Sequence, residues 1–171
     1  PAGGPKPVGG GGRVTTWSMD VGMTRTGVVT GKPVHLGGSL GRVRAAGRGM
    51  FVTGKVTAQR IGLELENARV SVQGFGNVGS VAAELFSQSG AKVVTVQDHS
   101  ATLHHSAGID VAALIRWQQQ HGSIAGFHGA TAISHEAFWE QGCDILIPAA
   151  LEGQITAERA RKLVCRMVLE G

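Results

Sequence analysis

Hydrophobic and polar positions are most clearly ordered in the middle of this chain. A short β-branched run, Val70 to Gln73, enters Gly74-Phe75-Gly76-Asn77-Val78-Gly79, and an amphipathic stretch, Val78 to Ser89, leaves it. A second apolar run, Lys92 to Gln97, ends at Asp98. The pattern predicts strand, tight turn, helix, strand and a terminal acid.

Further along, His99 to Gly108 reads as a polar loop. Asp110 is a good N-cap for a helix from Val111 to Gln120, ended by Gly122. Ser134 can cap a short helix through Glu140, and Cys143 to Ile147 reads as a buried strand stopped by Pro148. Thr156 can cap a helix through Lys162, and the apolar run Leu163 to Leu169 holds a last strand, with no closing element after Glu170-Gly171. Upstream, Pro1 to Gly12 has no period and reads as a flexible lead, Val14 to Val34 is punctuated by glycine, and 37–42 is a loop. Ala45 to Ile61 looks helical despite Gly47, Gly49 and Gly54, and such small residues predict close packing, here against the sheet.

Alternating strands and helices predict an α/β fold, a Rossmann-like, mainly parallel sheet with flanking helices, incomplete at its C-terminal end. Residues 1–14 are expected to be the lead and 15–171 one nucleotide-binding domain.

Composition narrows the function. The 171 residues suffice for one ordinary core, and no apolar run approaches the length of a membrane span. Nothing resembles an export leader, and the two cysteines, Cys143 and Cys165, sit in apolar runs and read as buried reduced thiols. A cytoplasmic protein is expected, with no membrane partner. The net charge is +4. Basic residues gather in two local groups, Arg42, Arg44 and Arg48, then Arg159, Arg161, Lys162 and Arg166, without interleaved aromatics or a nucleic-acid motif, so no nucleic-acid partner is expected. The seven histidines form no cluster with ligand spacing and read as surface or loop residues, so no metal site is expected. Thr30-Gly31-Lys32-Pro33 looks like a fragment of a phosphate loop, but the full pattern is absent, and Trp117 reads as packing.

The glycine turn carries the strongest chemistry. Gly74 permits the tight turn, Gly76 admits a pyrophosphate close to the backbone, and Gly79 lets the helix lie near the strand. The helix start offers free N–H groups to phosphate oxygens. Asp98 stands where a carboxylate accepts ribose hydroxyls and repels a 2′-phosphate, which favours NAD over NADP.

From Thr15 onward the chain resembles the amino-acid dehydrogenase superfamily acting on glutamate, leucine, phenylalanine and valine, and glutamate dehydrogenases most of all. The stretches that carry the resemblance are Trp17-Ser18-Met19-Asp20-Val21-Gly22, Val29-Thr30-Gly31-Lys32-Pro33, Gly37-Gly38-Ser39-Leu40-Gly41-Arg42, Gly47-Arg48-Gly49, Gln73 to Ser80, and Cys143-Asp144-Ile145-Leu146-Ile147-Pro148-Ala149-Ala150-Leu151. The resemblance implies a cofactor-binding domain in an enzyme that oxidatively deaminates glutamate to 2-oxoglutarate and ammonia. It implies that Phe75, Gly76, Asn77 and Val78 cover the pyrophosphate and that Asp98 takes the adenosine ribose. It places Pro148, Ala149 and Ala150 along the cofactor and Arg42 on the nicotinamide side.

The departures matter too. Where the family usually has Ala-Thr-Gly-Arg-Gly, this chain has Ala45-Ala46-Gly47-Arg48-Gly49, and Ala46 lacks the hydroxyl that orients the nicotinamide carboxamide. An unmade bond at a mostly buried site costs about 1–3 kcal/mol. Arg44 stands where an acid is frequent, and the common Ala-Leu-x-Asn reads Ala150-Leu151-Glu152-Gly153. The substrate domain expected ahead of Thr15 is absent from the 171 residues. Pro1-Ala2-Gly3-Gly4-Pro5-Lys6 resembles the start of a family motif whose lysine polarises the substrate and activates water, which makes Lys6 the candidate catalytic residue. Pro7 and Val8 break its second half, and a chance match of a glycine-rich tail is the alternative.

Two functions are therefore carried forward. One is an NAD-dependent glutamate dehydrogenase represented by its cofactor-binding domain, with an amino-acid substrate and the chain inactive when isolated. The other is a non-catalytic dinucleotide-binding module or degraded subunit, self-associating or bound to a full-length dehydrogenase.

Overall fold

A computed structural model describes residues 33–171. The lead, Lys6 and the stretch up to Lys32 lie outside the described residues. The chain divides into two compact units, Pro1–Ala45 and Ala46–Gly171. In the first, a 3-10 turn, Val34–Leu36, closes where the N–H of Gly37 donates to the Val34 carbonyl at 3.0 Å.

Helix α1, Arg42–Arg60, starts ahead of the expected Ala45, so the preceding loop is shorter than anticipated. Its buried positions, Gly47, Met50, Gly54 and Ala58, follow helical spacing and make one narrow stripe. Close packing is as expected, but the partner is different. A Cβ at Gly54 would meet Leu169 Cδ2 and Phe86 Cζ, each at 2.7 Å, and one at Gly47 would meet Val81 Cβ at 2.7 Å. The stripe thus lies on a helix and on the C-terminal segment rather than on the sheet. Small residues encode how near a neighbour comes, not which neighbour it is.

The central unit follows the expected order: strand β1, Arg69–Gln73, helix α2, Gly79–Gln88, and strand β2, Lys92–Gln97. Strand β3, Thr102–His104, interrupts what reads as a polar loop. Helix α3, Val111–His121, begins at Asp110, whose side chain accepts from the Ala113 N–H, and ends at Gly122 in the left-handed conformation. Strand β4, Thr131–Ile133, was not anticipated. The short helix after Ser134 is a 3-10 turn, Glu136–Glu140, with Ser134 Oγ accepting from the Ala137 N–H. Strand β5, Ile145–Pro148, helix α4, Ala157–Lys162, and strand β6, Met167–Val168, complete the described residues.

The six strands form one sheet in the order β4-β3-β2-β1-β5-β6. The β1–β2, β1–β5 and β5–β6 pairs are parallel, and β2–β3 and β3–β4 are antiparallel. The fold is α/β and Rossmann-like, mainly parallel, with an antiparallel edge. Past their first residues β1 and β2 are buried throughout, as is all of β5, which is what helices and turns on both faces require. On one face α2 buries Val81, Ala82, Ala83 and Phe86, with Phe51 edge-on to Phe86 at 5.2 Å. On a second cluster Phe138 and Trp139 cover Leu146, with Cys143, Leu163 and Cys165 packed around them.

Both cysteines are free but only partly buried, a correction to the expectation of buried thiols. Burial still pushes the Cys143 thiol up to about 11. Trp117 packs as expected, stacked on His121 at 3.8 Å with its Nε1–H donating to the Ala125 carbonyl. Among the described residues no helix is long and apolar enough to cross a membrane.

Candidate functional site

The carboxyl ends of β1, β2 and β5 meet at one edge of the sheet, where open α/β sheets place their ligand crevice. Backbone bonds lock them together: the Gly74 N–H donates to the Gln97 carbonyl and the Ala149 N–H to the Gln73 carbonyl, both at 2.7 Å. Above them opens a cleft of about 550 Å3.

The glycine turn forms one wall. Gly74 has φ +86°, and a Cβ there would run into the Ala149 carbonyl and the Ala150 nitrogen. Gly79 is buried, and a Cβ on it would collide with the Gly74 carbonyl oxygen. By contrast a Cβ on exposed Gly76 would meet nothing within 4 Å, so that side of the backbone is open to an approaching group. Phe75 is buried and anchors the turn, and its carbonyl accepts from Gln118 Nε2 at 2.6 Å, tying the turn to α3. Ser80 Oγ donates to the Gly76 carbonyl, and no side chain caps the start of α2. The Ser80 N–H also donates to the Gly76 carbonyl at 3.0 Å, which leaves the other N–H groups of the turn for an anion.

Asp98 forms part of a second wall. One oxygen, Oδ1, accepts from the Ser100 N–H at 2.7 Å, Ser100 Oγ at 2.6 Å and the Ala101 N–H at 3.0 Å. This carboxylate builds its own turn, and Oδ2 is the half left to receive a ligand hydroxyl.

The third wall comes from distant sequence. Arg159 on α4 donates twice to Glu136, at 3.1 and 2.9 Å, and once to the Gln154 carbonyl at 3.0 Å. Its guanidinium stands 4.9 Å from the centre of the buried Trp139 ring. The hydrogen bond from Arg159 holds the Glu136 carboxyl below its ordinary range and raises Arg159 in turn. The cleft's formal charges among the described residues are thus Asp98 and an arginine already spent on an acid.

Of the expected site residues, Gly74, Phe75, Gly76, Asp98 and Ala150 line the cleft. Asn77 is exposed and Val78 half-buried on the rest of the turn, with Gly79 beneath it. Pro148 is buried at the end of β5, and Ala149 is half-buried against Gly74. Arg42 is exposed at the start of α1 and belongs to the N-terminal unit. Sequence reasoning missed Gln73, Gln97, Gln118, Gln154 and Arg159, and read two cleft-lining histidines, His99 and His135, as plain loop residues. The available signal was a glutamine ending each of two valine-rich strands. No group of three or more potential metal ligands occurs among the described residues. The volume, the open glycine backbone and the free carboxylate oxygen fit a dinucleotide.

Comparisons with known proteins agree with this geometry. Residues 37–171 match the family model for glutamate/leucine/phenylalanine/valine dehydrogenases. The chain is 46% identical to a glutamate dehydrogenase of Thermotoga maritima, covering 91% of this chain and 38% of that protein. It is 38% identical to an NAD-specific glutamate dehydrogenase of Clostridioides difficile, over 93% of this chain and 40% of the relative. It is 40% identical to an NADP-specific one of Halobacterium salinarum, over 86% and 36%. In structure it matches the hetero-hexameric glutamate dehydrogenase of Thermus thermophilus with a TM-score of 0.81 and 38% identity, covering 92% of this chain and 37% of the other. The chain thus spans less than half the length of these relatives.

Proposed function

Because the chain belongs to the glutamate/leucine/phenylalanine/valine dehydrogenase family, we propose that residues 15–171 are the cofactor-binding domain of an NAD-dependent glutamate dehydrogenase, which deaminates glutamate oxidatively to 2-oxoglutarate and ammonia. The observation that carries the cofactor half is the cleft, with the open backbone of Gly76 on one side and the free Oδ2 of Asp98 on another. The glutamate half rests on the names of the relatives.

The nicotinamide, when bound, accepts a hydride from the substrate Cα. This chain's own residues bind and orient. The N–H groups at the start of α2 receive the pyrophosphate, with Phe75, Gly76, Asn77 and Val78 over it and Gly79 keeping helix and strand close. Gln118 holds the turn carbonyl away from the phosphates. Asp98 Oδ2 accepts the ribose hydroxyls, and Pro148, Ala149 and Ala150 run along the cofactor. Arg42 and Lys6 enter this proposal from the resemblance alone. The relatives include NAD-specific and NADP-specific enzymes, so a nicotinamide dinucleotide is common to both, and NAD is preferred here because Asp98 repels a 2′-phosphate. Association into an oligomer, or with a full-length dehydrogenase, is proposed by analogy with the hexameric relative. The two free thiols fit a reducing cytoplasm.

Hydride transfer also needs cations for two substrate carboxylates and a proton-handling pair. Among the described residues lining the cleft no such set exists: Arg159 is paired with Glu136. The 171-residue chain should therefore bind NAD without turning over glutamate. Calorimetric titration with NAD, and absorbance of NADH on mixing with glutamate and NAD, test the two halves separately. Failure to bind either NAD or NADP sinks the cofactor assignment, and sustained NADH formation abolished by Lys6→Ala would place Lys6 in a working active site.

A further inference from the structure

At the floor of the cleft two glutamines lie side by side. Gln73 ends β1 and Gln97 ends β2, and they are direct register partners across the parallel pair. Both are more than nine-tenths buried, at 5% and 6% exposure, and both line the cleft. Buried carboxamides at the ends of apolar strands are costly unless each polar atom finds a partner.

Their amino groups do. Gln97 Nε2 donates to Thr102 Oγ1 at 2.8 Å and to the His135 carbonyl at 2.9 Å, and contacts His135 Nδ1 at 3.0 Å. Two N–H hydrogens are fully spent on these partners. Gln73 Nε2 donates to Gln154 Oε1 at 3.3 Å. The carbonyl halves do not. Gln73 Oε1 is buried without any partner, and the side-chain bonds of Gln97 among the described residues are all made by its Nε2. The floor therefore offers two neighbouring acceptors against one uncommitted donor, the second N–H of Gln73 Nε2.

We propose that this Gln73–Gln97 pair reads the exocyclic amine of the adenine base, one carbonyl oxygen for each of its N–H donors. This inference rests on the cofactor assignment above and deepens it, because it names the edge of the ligand that the cleft selects. An amino group satisfies both acceptors. A 6-oxo base carries one donor on that edge, N1–H, in place of two, so at least one of the two carbonyl oxygens stays unpaired. Half-buried Gln154 is the side chain that closes over Gln73, and it shifts to admit the base.

The test uses the full chain and compares NAD with nicotinamide hypoxanthine dinucleotide, which has an oxygen in place of that amine and a hydrogen on N1, by calorimetric titration. NAD should bind about ten-fold tighter or more, since sites built to bond a donor reject analogues that lack it. Gln73→Leu should shrink the preference for NAD to about three-fold or less, the part left to Gln97, chiefly by weakening NAD. Gln73→Glu, which keeps acceptor oxygens at the same place, should retain the preference for the amine. Equal affinity of the unaltered chain for the two dinucleotides overturns the proposal while leaving the cofactor assignment standing, and needs no variant to fold. A preference for the hypoxanthine analogue overturns it as well. Binding of neither overturns the cofactor assignment, and this inference with it.

Discussion

Asp98 offers the sharpest separation of structure from ligand binding, because its two oxygens have different work. Oδ1 accepts three bonds from Ser100 and Ala101, and among the described residues no donor bonds Oδ2. Asp98→Asn keeps a carbonyl oxygen for the turn and replaces Oδ2 with an amino group, so the negative charge leaves and the loop stays. A hydrogen bond to a charged acceptor contributes about 1.5–3 kcal/mol, and the amide recovers part of that, so NAD should lose about 1–2 kcal/mol, or about 5- to 30-fold in affinity. NADP should gain. Two unit charges 4 Å apart interact by about 1 kcal/mol in water and about 4 at an effective dielectric of 20, and half-exposed Asp98 sits toward the lower value, at about 1–2 kcal/mol. The ratio of NAD to NADP affinity should fall by about 30-fold or more on adding the two effects. Calorimetric titration of both cofactors measures the ratio, and a thermal melt of the free protein serves as control, expected to change by less than about 0.5 kcal/mol equivalent. Asp98→Ala, which removes the turn acceptor too, should lower the melting point where Asn does not. An unchanged ratio in a folded Asp98→Asn protein would show that the carboxylate serves only its turn.

Other outcomes can be measured on the same protein. Gly54→Ala should destabilise it by about 1–2 kcal/mol, because the overlap with Phe86 and Leu169 exceeds the gain in helix propensity, whereas Gly49→Ala, with open space around it, should stabilise by about 0.5–1 kcal/mol. Thermal melts that move both variants the same way would refute the packing stripe of α1. Ala46 is exposed, not mostly buried as expected, and only the resemblance sets it beside the nicotinamide; on that reading Ala46→Thr should tighten NAD by about 0.5–1.5 kcal/mol without tightening ADP-ribose, which lacks the nicotinamide. An equal gain for both ligands would place position 46 away from the ring. The Glu136 carboxyl is held below its ordinary range in the folded state by the Arg159 hydrogen bond. The contribution of this pair is therefore present in full above the ordinary carboxylate range and is lost as pH falls through the lowered value. Trp139 fluorescence should report the loss, and Glu136→Gln should erase that acid transition.

What could be read in the chain divides by the range of the forces involved. Asp110, Ser134 and Thr156 each bond an N–H three residues on, and all three caps are where their side chains suggest. The glycine turn and the two strands around it are equally local. Strands β3 and β4 are three residues each and owe their existence to pairing across the sheet rather than to propensity, so Thr102–His104 passes for loop. The third cleft wall was illegible for the same reason. Arg159 is one of several arginines along the C-terminal stretch until folding sets it against Glu136 and Trp139.

The two floor glutamines lie between these cases. A strand buried on both faces in a parallel sheet is expected to be apolar throughout, and Gln73 and Gln97, like Ser71 and Thr95 before them, break that rule at the same position of adjacent strands. Each alone passes for a strand-end residue on the way to a turn. Only the register makes them a pair, and only their bonding shows that each amino group has a partner while Gln73 Oε1 is left without one. A buried group kept without its partner lowers stability, and such costs persist where a ligand supplies what the fold withholds. The departure from local rules was thus visible in the residues themselves, and the fold supplies the geometry that turns it into a candidate reading of one edge of one base.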